Sequence, residues 1–219
     1  MNQGRKFTVR ARLLAAMAMM LMAGWAWSAP NLAEGKRQFG AVCSSCHGAA
    51  AQGNEALRAP PLAGQNAPYI VRQFSHFKSG VRSGPQGSPT ALMQAVAAGS
   101  VDMEMVRTIA AYLETVKPTV SRPSGPQPVY VRGQYGVCVG CHNAQGEGNL
   151  ALGSARINIL PEWYLVEQMQ AFRDGRRGTH EQDVHGRQMV SIMRDMPEDE
   201  LIRDLARYIQ YLDRKVTAK

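Results

Sequence analysis

The chain has 219 residues, 45% of them hydrophobic, and a formal net charge of +8. Four of the basic residues, Arg5, Lys6, Arg10 and Arg12, crowd the extreme N-terminus, and no acid accompanies them in the first 28 positions, so half of the excess charge belongs to that segment. What is left is too small to mark a nucleic-acid binder, and no nucleic-acid-binding motif accompanies it.

Behind the four basic residues comes the apolar run from Leu13 to Trp27, closing on Ala26-Trp27-Ser28. A basic head, an apolar middle and small residues around a bulky one read as a secretory signal peptide over residues 1–28. Cleavage is placed after Ser28, because Pro30 would follow a cut after Ala29 and disfavour it. The alternative is an uncleaved membrane anchor, although the run falls short of the ~20 residues that span a bilayer.

The next element is a helix over Ala33 to Cys46, with Gly35, Phe39 and Cys43 on one face. It runs into Cys43-Ser44-Ser45-Cys46-His47, and the same pattern returns as Cys138-Val139-Gly140-Cys141-His142. These two motifs use all four cysteines. Cys-x-x-Cys-His is the attachment signal of c-type haem: two thiols reach the two vinyl groups of one porphyrin while the histidine turns a ring nitrogen to the iron. The bland alternatives are two disulfides or one zinc site made from all four thiols. Export and covalent haem support one another, since such attachment takes place outside the bacterial cytoplasmic membrane, and the expected location is the periplasm. Four haem propionates would largely cancel the remaining positive charge.

Further along, the periodicity predicts helices over Tyr69 to Lys78, ended by Gly80, and over Met103 to Val116. Residues 118–128 carry four prolines, which oppose both helix and central strand, and read as a linker. Beyond it, helices are predicted over Glu162 to Arg173, stopped at Gly175, and Pro197 to Leu212, where Pro197 and the acids Glu198, Asp199 and Glu200 suit a helix start. No segment alternates convincingly, so the fold class is all-α.

The chain repeats itself. At an offset of 95 residues the haem motifs coincide, Tyr69 and Gln73 match Tyr164 and Gln168, and Phe77, Gly80 and Arg82 match Phe172, Gly175 and Arg177. One insertion moves the offset to 96, where Met93 meets Met189 and Ala110-Ala111-Tyr112 meets Ala206-Arg207-Tyr208. The expected organisation is a haem domain over 29–117, the linker over 118–128, and a second haem domain over 129–219. Each domain is small enough that a held haem would supply much of its apolar interior.

In order and identity these motifs resemble dihaem cytochromes of the c4 type, over essentially the whole mature chain. The first half adds Pro61-Leu62-Ala63-Gly64-Gln65. The resemblance implies two tandem class I cytochrome c domains facing one another, each with an iron held by His and Met. Cys43, Cys46, Cys138 and Cys141 would then bind the two haem c groups, with His47 and Met93 as axial ligands in the first domain and His142 and Met189 in the second. Among the rivals, Met103, Met105, Met193 and Met196 read as core packing and His76 as a half-exposed helix residue. His185, four residues before Met189, stays open as an alternative ligand that would give a much lower potential.

The second half departs from the pattern. Arg156-Ile157-Asn158-Ile159-Leu160 replaces the Pro61 to Gln65 stretch, so the carbonyl that orients the axial histidine must come from elsewhere, with one near Arg156 as the candidate. His142 is followed by Asn143 where His47 is followed by Gly48, and Tyr135 stands one residue closer to its cysteine than Phe39 does. The two haems should therefore differ in potential. Arg82 and Arg177 read either as propionate or partner-docking groups or as a solvated basic face.

The implied function is a non-enzymatic electron carrier, passing single electrons from a respiratory complex or dehydrogenase to a terminal oxidase or reductase. Its partners would be periplasmic or membrane-bound redox proteins, docked transiently. The alternatives are a dihaem enzyme with one open iron, peroxidase-like, or a dedicated electron-transfer subunit of a larger complex. A thiosulfate dehydrogenase with a cysteine haem ligand is disfavoured, because no cysteine is spare.

Overall fold

In the computed structural model, residues 30–119, 123 and 125–212 are described; the signal-peptide expectation and most of the linker core lie outside them. Nine α-helices occur among the described residues, and no strand beyond the single antiparallel bridge Asn54 to Ala59. In chain order they are α1 (Leu32–Val42), α2 (Ser44–His47), α3 (Ala67–Ser79), α4 (Pro89–Ala98), α5 (Met103–Thr115), α6 (Arg132–His142), α7 (Glu162–Arg173), α8 (Val184–Arg194) and α9 (Asp199–Leu212), with a 3-10 turn, Val129–Val131, leading into α6. None is long and apolar enough to cross a membrane.

Local chemistry accounts for most boundaries. Asn31 and Asp102 cap α1 and α5 by accepting from the Glu34 and Met105 amides. Gly80 ends α3 in the left-handed region at φ 77°. Two helices were not expected. Ser88 caps α4 and Asp183 caps α8, each accepting from a backbone amide three residues on, and Pro89 opens α4. These helices carry Met93 and Met189. The expected 33–46 helix is interrupted at Cys43, so the haem motif occupies its own turn.

In each half the C-terminal helix is the spine. Helix α5 packs against α1 and α3, with α4 resting on α3; α9 packs against α7, with α8 resting on α7. The first core gathers Phe39, Ile109 and Leu113, and the second gathers Val131, Tyr135, Ile159, Ile202 and Leu205.

The two halves differ where the N-terminal helix meets the spine. A Cβ on Gly35 would lie 2.4 Å from the Thr108 carbonyl oxygen, so only glycine permits the close crossing of α1 on α5. Through the aromatic partners, Phe39 with Tyr112 (ring centroids 6.2 Å) and Tyr135 with Tyr208 (5.5 Å), the place of Gly35 falls to Val131. Val131 brings a side chain, wholly buried, and the backbone there is a 3-10 turn. The one-residue shift of Tyr135 is thus part of a different entry to the same spine.

The halves pack directly on one another. Gln65, 2% exposed, spans the seam: its Nε2 donates to the Arg156 carbonyl at 2.9 Å and its Oε1 accepts from the Arg156 amide at 2.7 Å. Asn66 Nδ2 donates to the Ser154 carbonyl at 2.9 Å. Arg58 pairs with Glu167 and lies 4.6 Å over the Trp163 ring.

Candidate haem sites

The motif turn is built alike in both halves. Gly48 and Asn143, directly after the histidines, take positive φ of 82° and 62°. Two turns later the Gly53 amide donates to the His47 carbonyl at 2.8 Å, and the Gly148 amide to the His142 carbonyl at 2.9 Å. The Leu62 amide then reaches the Ala51 carbonyl, as the Ile157 amide reaches that of Gly146. All three pairs obey the 95-residue offset, so the backbone course persists where Pro61 to Gln65 has become Arg156 to Leu160.

That course places one carbonyl against each histidine. His47 Nδ1 lies 2.8 Å from the Pro60 oxygen and His142 Nδ1 2.8 Å from the Ala155 oxygen. A carbonyl only accepts, so Nδ1 carries the proton and donates. Burial holds both imidazoles below their ordinary range, against the opposing carbonyl bond, and so neutral. The lone pair of Nε2 is left for a metal. The missing orienting carbonyl of the second half is therefore that of Ala155, at the repeat position of Pro60. Any residue supplies a main-chain oxygen, which is why losing the proline motif leaves the interaction intact.

Burial, with the neighbouring Cys46 adding to it, pushes the Cys43 thiol up to about 11; burial and Cys141 do the same at Cys138. Cys46 is exposed and Cys141 half-buried. All four are free, which removes the two-disulfide alternative, and among the described residues no cluster of three or more metal-binding side chains exists.

In the second half Cys138, Cys141, His142 and Met189 line one cavity of about 270 Å³. Its walls are apolar: Leu160, Leu165, Met169, Phe172, Met193 and Ile209. At the polar end Arg177 presents a buried Nε with no hydrogen-bond partner. Two thiols, a neutral imidazole, a thioether, apolar walls and a cation at one end fit an amphiphilic porphyrin with two carboxylates. Bound there, such a group supplies one-electron iron chemistry.

The remaining candidates sort as follows. Met189 is half-buried on α8 and His185 is exposed at the same cavity. His180 Nδ1 accepts from the Gln182 amide in a local turn. Met193 and Met196 are core residues at 2% and 7% exposure, as expected, and Met105 packs on the first core. In the first half Cys43, Cys46 and His47 lie in and beside one short helical turn, while Met93 stands half-buried on α4.

Arg82 and Arg177 are neither a solvated face nor a partner-docking surface. Each folds back within its own half and reaches across: Arg82 to Gln73 at 2.7 Å and Gln168 at 3.0 Å, Arg177 to Gln168 at 2.5 Å and Gln73 at 2.8 Å. Arg177 also donates to the Tyr69 hydroxyl at 3.2 Å. The repeated Tyr-x-x-x-Gln and Gly-x-Arg motifs thus meet at the seam, their residues related by the repeat. His76 is there too, its side chain only 13% exposed and Nδ1 3.8 Å from the Asp183 carboxylate, where a half-exposed residue was expected. Asp183 was missed because the helix it caps was not expected and nothing within one half marks a contact with the other.

The profile described as "Cytochrome C oxidase, cbb3-type, subunit III" matches residues 30–113. Cytochrome c4 of Azotobacter vinelandii is 33% identical over 169 residues, 70% of this chain and 78% of that one. The thiosulfate dehydrogenase electron acceptor of Stutzerimonas stutzeri is 32% identical over 192 residues, 81% and 82% of the two chains. The crystal structure of reduced cytochrome c4 from Pseudomonas stutzeri aligns with a TM-score of 0.66 at 25% identity, covering 83% of this chain and 98% of that one. With its two equivalent motif turns and all-helical halves, this chain belongs to the cytochrome c4 family: a dihaem electron-transfer cytochrome of tandem class I cytochrome c folds with covalently attached haem c.

Proposed function

We propose that the protein is a periplasmic one-electron shuttle whose first centre is held by Cys43, Cys46, His47 and Met93 and whose second is held by Cys138, Cys141, His142 and Met189. The observation that carries this is the pair of repeat-related histidines, each locked by one carbonyl at 2.8 Å with Nε2 left free. Met93 and Met189, five and six residues beyond the caps of corresponding helices, would close the far side of each iron and keep exogenous ligands out. Domains at 29–117 and 129–219, the 118–128 linker and a leader cleaved after Ser28 complete this reading.

The similarity to a thiosulfate dehydrogenase electron acceptor equals that to cytochrome c4, which makes a sulfur-oxidising dehydrogenase one candidate donor. A terminal oxidase or reductase would take the electrons. The polar seam suits this role, because a fixed relation between two centres keeps reorganisation small.

His185 on the same cavity supports a second reading, a His/His centre of much lower potential. The far-red thioether-to-ferric band of the purified holoprotein separates these. Full intensity for two centres per chain, with slow cyanide and peroxide binding, supports the closed carrier. Half intensity, lost in neither Met189→Ala nor His185→Ala, would refute the Met189 assignment, and rapid ligand binding would bring the enzyme reading forward.

A further inference from the structure

Several residues at the seam come in repeat-related pairs, Tyr69 with Tyr164, Gln73 with Gln168, Arg82 with Arg177, and one position between them carries opposite charges. Arg72 of α3 corresponds to Glu167 of α7. Glu167 crosses the seam to its ion pair with Arg58 of the first half. Arg72 crosses it in the other direction and lines the cavity that contains Cys138, Cys141, His142 and Met189. Its guanidinium lies against the second half's loop, where a Cβ on Gly153 would come within 2.6 Å of Nη1.

Within that cavity Arg72 is poorly satisfied. Its Nε is buried with no hydrogen-bond partner, and burial draws its pKa below the ordinary arginine value. The surrounding field is positive. Arg177, Arg82 and Arg72 together hold the Tyr69 hydroxyl below its usual range although burial raises it. The one carboxylate acting on Arg72, Asp183, is committed to the Gly186 amide at 2.8 Å and faces His76. The half-buried guanidinium lies 5.7 Å over the Tyr69 ring, and its buried, unpaired Nε–H is costly unless an acceptor completes it, for which an anion is best suited.

We infer that Arg72 binds a carboxylate of the haem in the second half, across the boundary between the halves. Because the reciprocal position is a glutamate paired with Arg58, this cation acts on the second centre and has no counterpart at the first. It stabilises the reduced state there and so biases the electron toward the second half. The inference rests on the dihaem carrier reading above.

The test is a spectroelectrochemical titration of the full-length holoprotein and its Arg72→Gln and Arg72→Lys variants, with each centre assigned by its haem-methyl resonances. Arg72→Gln is expected to shift the electron-sharing equilibrium between the centres about tenfold toward the first, about 59 mV for one electron, by lowering the second potential. Arg72→Lys, which keeps the charge, should recover most of the shift. Equal movement of both potentials, movement of the first alone, or no movement overturns the inference while leaving the carrier intact. Failure of the unmodified protein to show two reversible one-electron centres overturns the carrier reading and the inference with it.

Discussion

Gln65 offers a direct test of how firmly the halves are joined. It is the seam's most deeply buried connector, and Gln65→Leu keeps much of its volume while removing three hydrogen bonds: two with the Arg156 main chain and one from the Asn66 amide, at 3.0 Å. Three main-chain groups would be left without that partner. At about 1 kcal/mol each, the low end for buried groups that water partly reaches, the loss is about 3 kcal/mol. For a chain of this size that lowers Tm by roughly 6–12 °C. Urea and thermal unfolding of the holoprotein, followed by circular dichroism, measure it, and limited proteolysis within 118–128 reports whether the halves separate. The far-red band should persist, because Gln65 is not among the proposed ligands. A loss under about 1 kcal/mol with unchanged proteolysis would show that Gln65 does not couple the halves.

Met93→Ala and Met189→Ala should each abolish one thioether-ligated centre and halve the far-red band, and either variant with a full band refutes that assignment. Gly35→Ala should cost about 1–3 kcal/mol by forcing α1 off α5, read as a lower urea midpoint; an unchanged midpoint would mean the crossing is not tight. Burial holds His76 below the usual histidine range, Asp183 opposes this, and Arg72, Arg177 and Arg82 reinforce it. A histidine kept neutral when folded but titrating near 6.5 when unfolded contributes stability that is complete above that value and lost as pH falls through the folded pKa. The urea midpoint should therefore fall more steeply between pH 7 and 5 in the parent than in His76→Gln, and equal slopes would exclude this contribution.

The sequence was most legible where chemistry demands particular side chains. The two Cys-x-x-Cys-His turns, the helices flanking them and the glycine stops at Gly80 and Gly175 all follow from residue identity. The carbonyl of Ala155 was hidden because main-chain acceptors leave no mark on residue type; only the offset from Pro60 points to it. Helices α4 and α8 were also missed. Ser88 sits among Gly84, Pro85, Gly87 and Pro89 and the largely apolar α4 shows weak periodicity, whereas α8 is amphipathic and its pattern was overlooked. Arg82 and Arg177 were ambiguous because burial between two halves is a property of their packing, which no pattern within one half encodes.

The repeat clarifies what that packing selects. Where a residue contacts its own repeat mate's neighbours, as Gln73, Gln168, Arg82 and Arg177 do, both copies keep the same identity, since one change would orphan a partner in each half. Where the contact is one-sided, the copies diverge: His76 faces Asp183, while their repeat mates are Ala171 and Ser88. Ser88 and Asp183 cap equivalent helices, so the local task is preserved and only the charge presented across the seam is changed. Gln65 and Arg156 join the halves although their repeat mates are Leu160 and Pro61, while Arg72 and Asp183 line the second cavity and His76 faces Asp183. On the proposed role of Arg72, a difference between the centres would come from side-chain charge at a few seam positions, with the backbone that presents each histidine left unchanged.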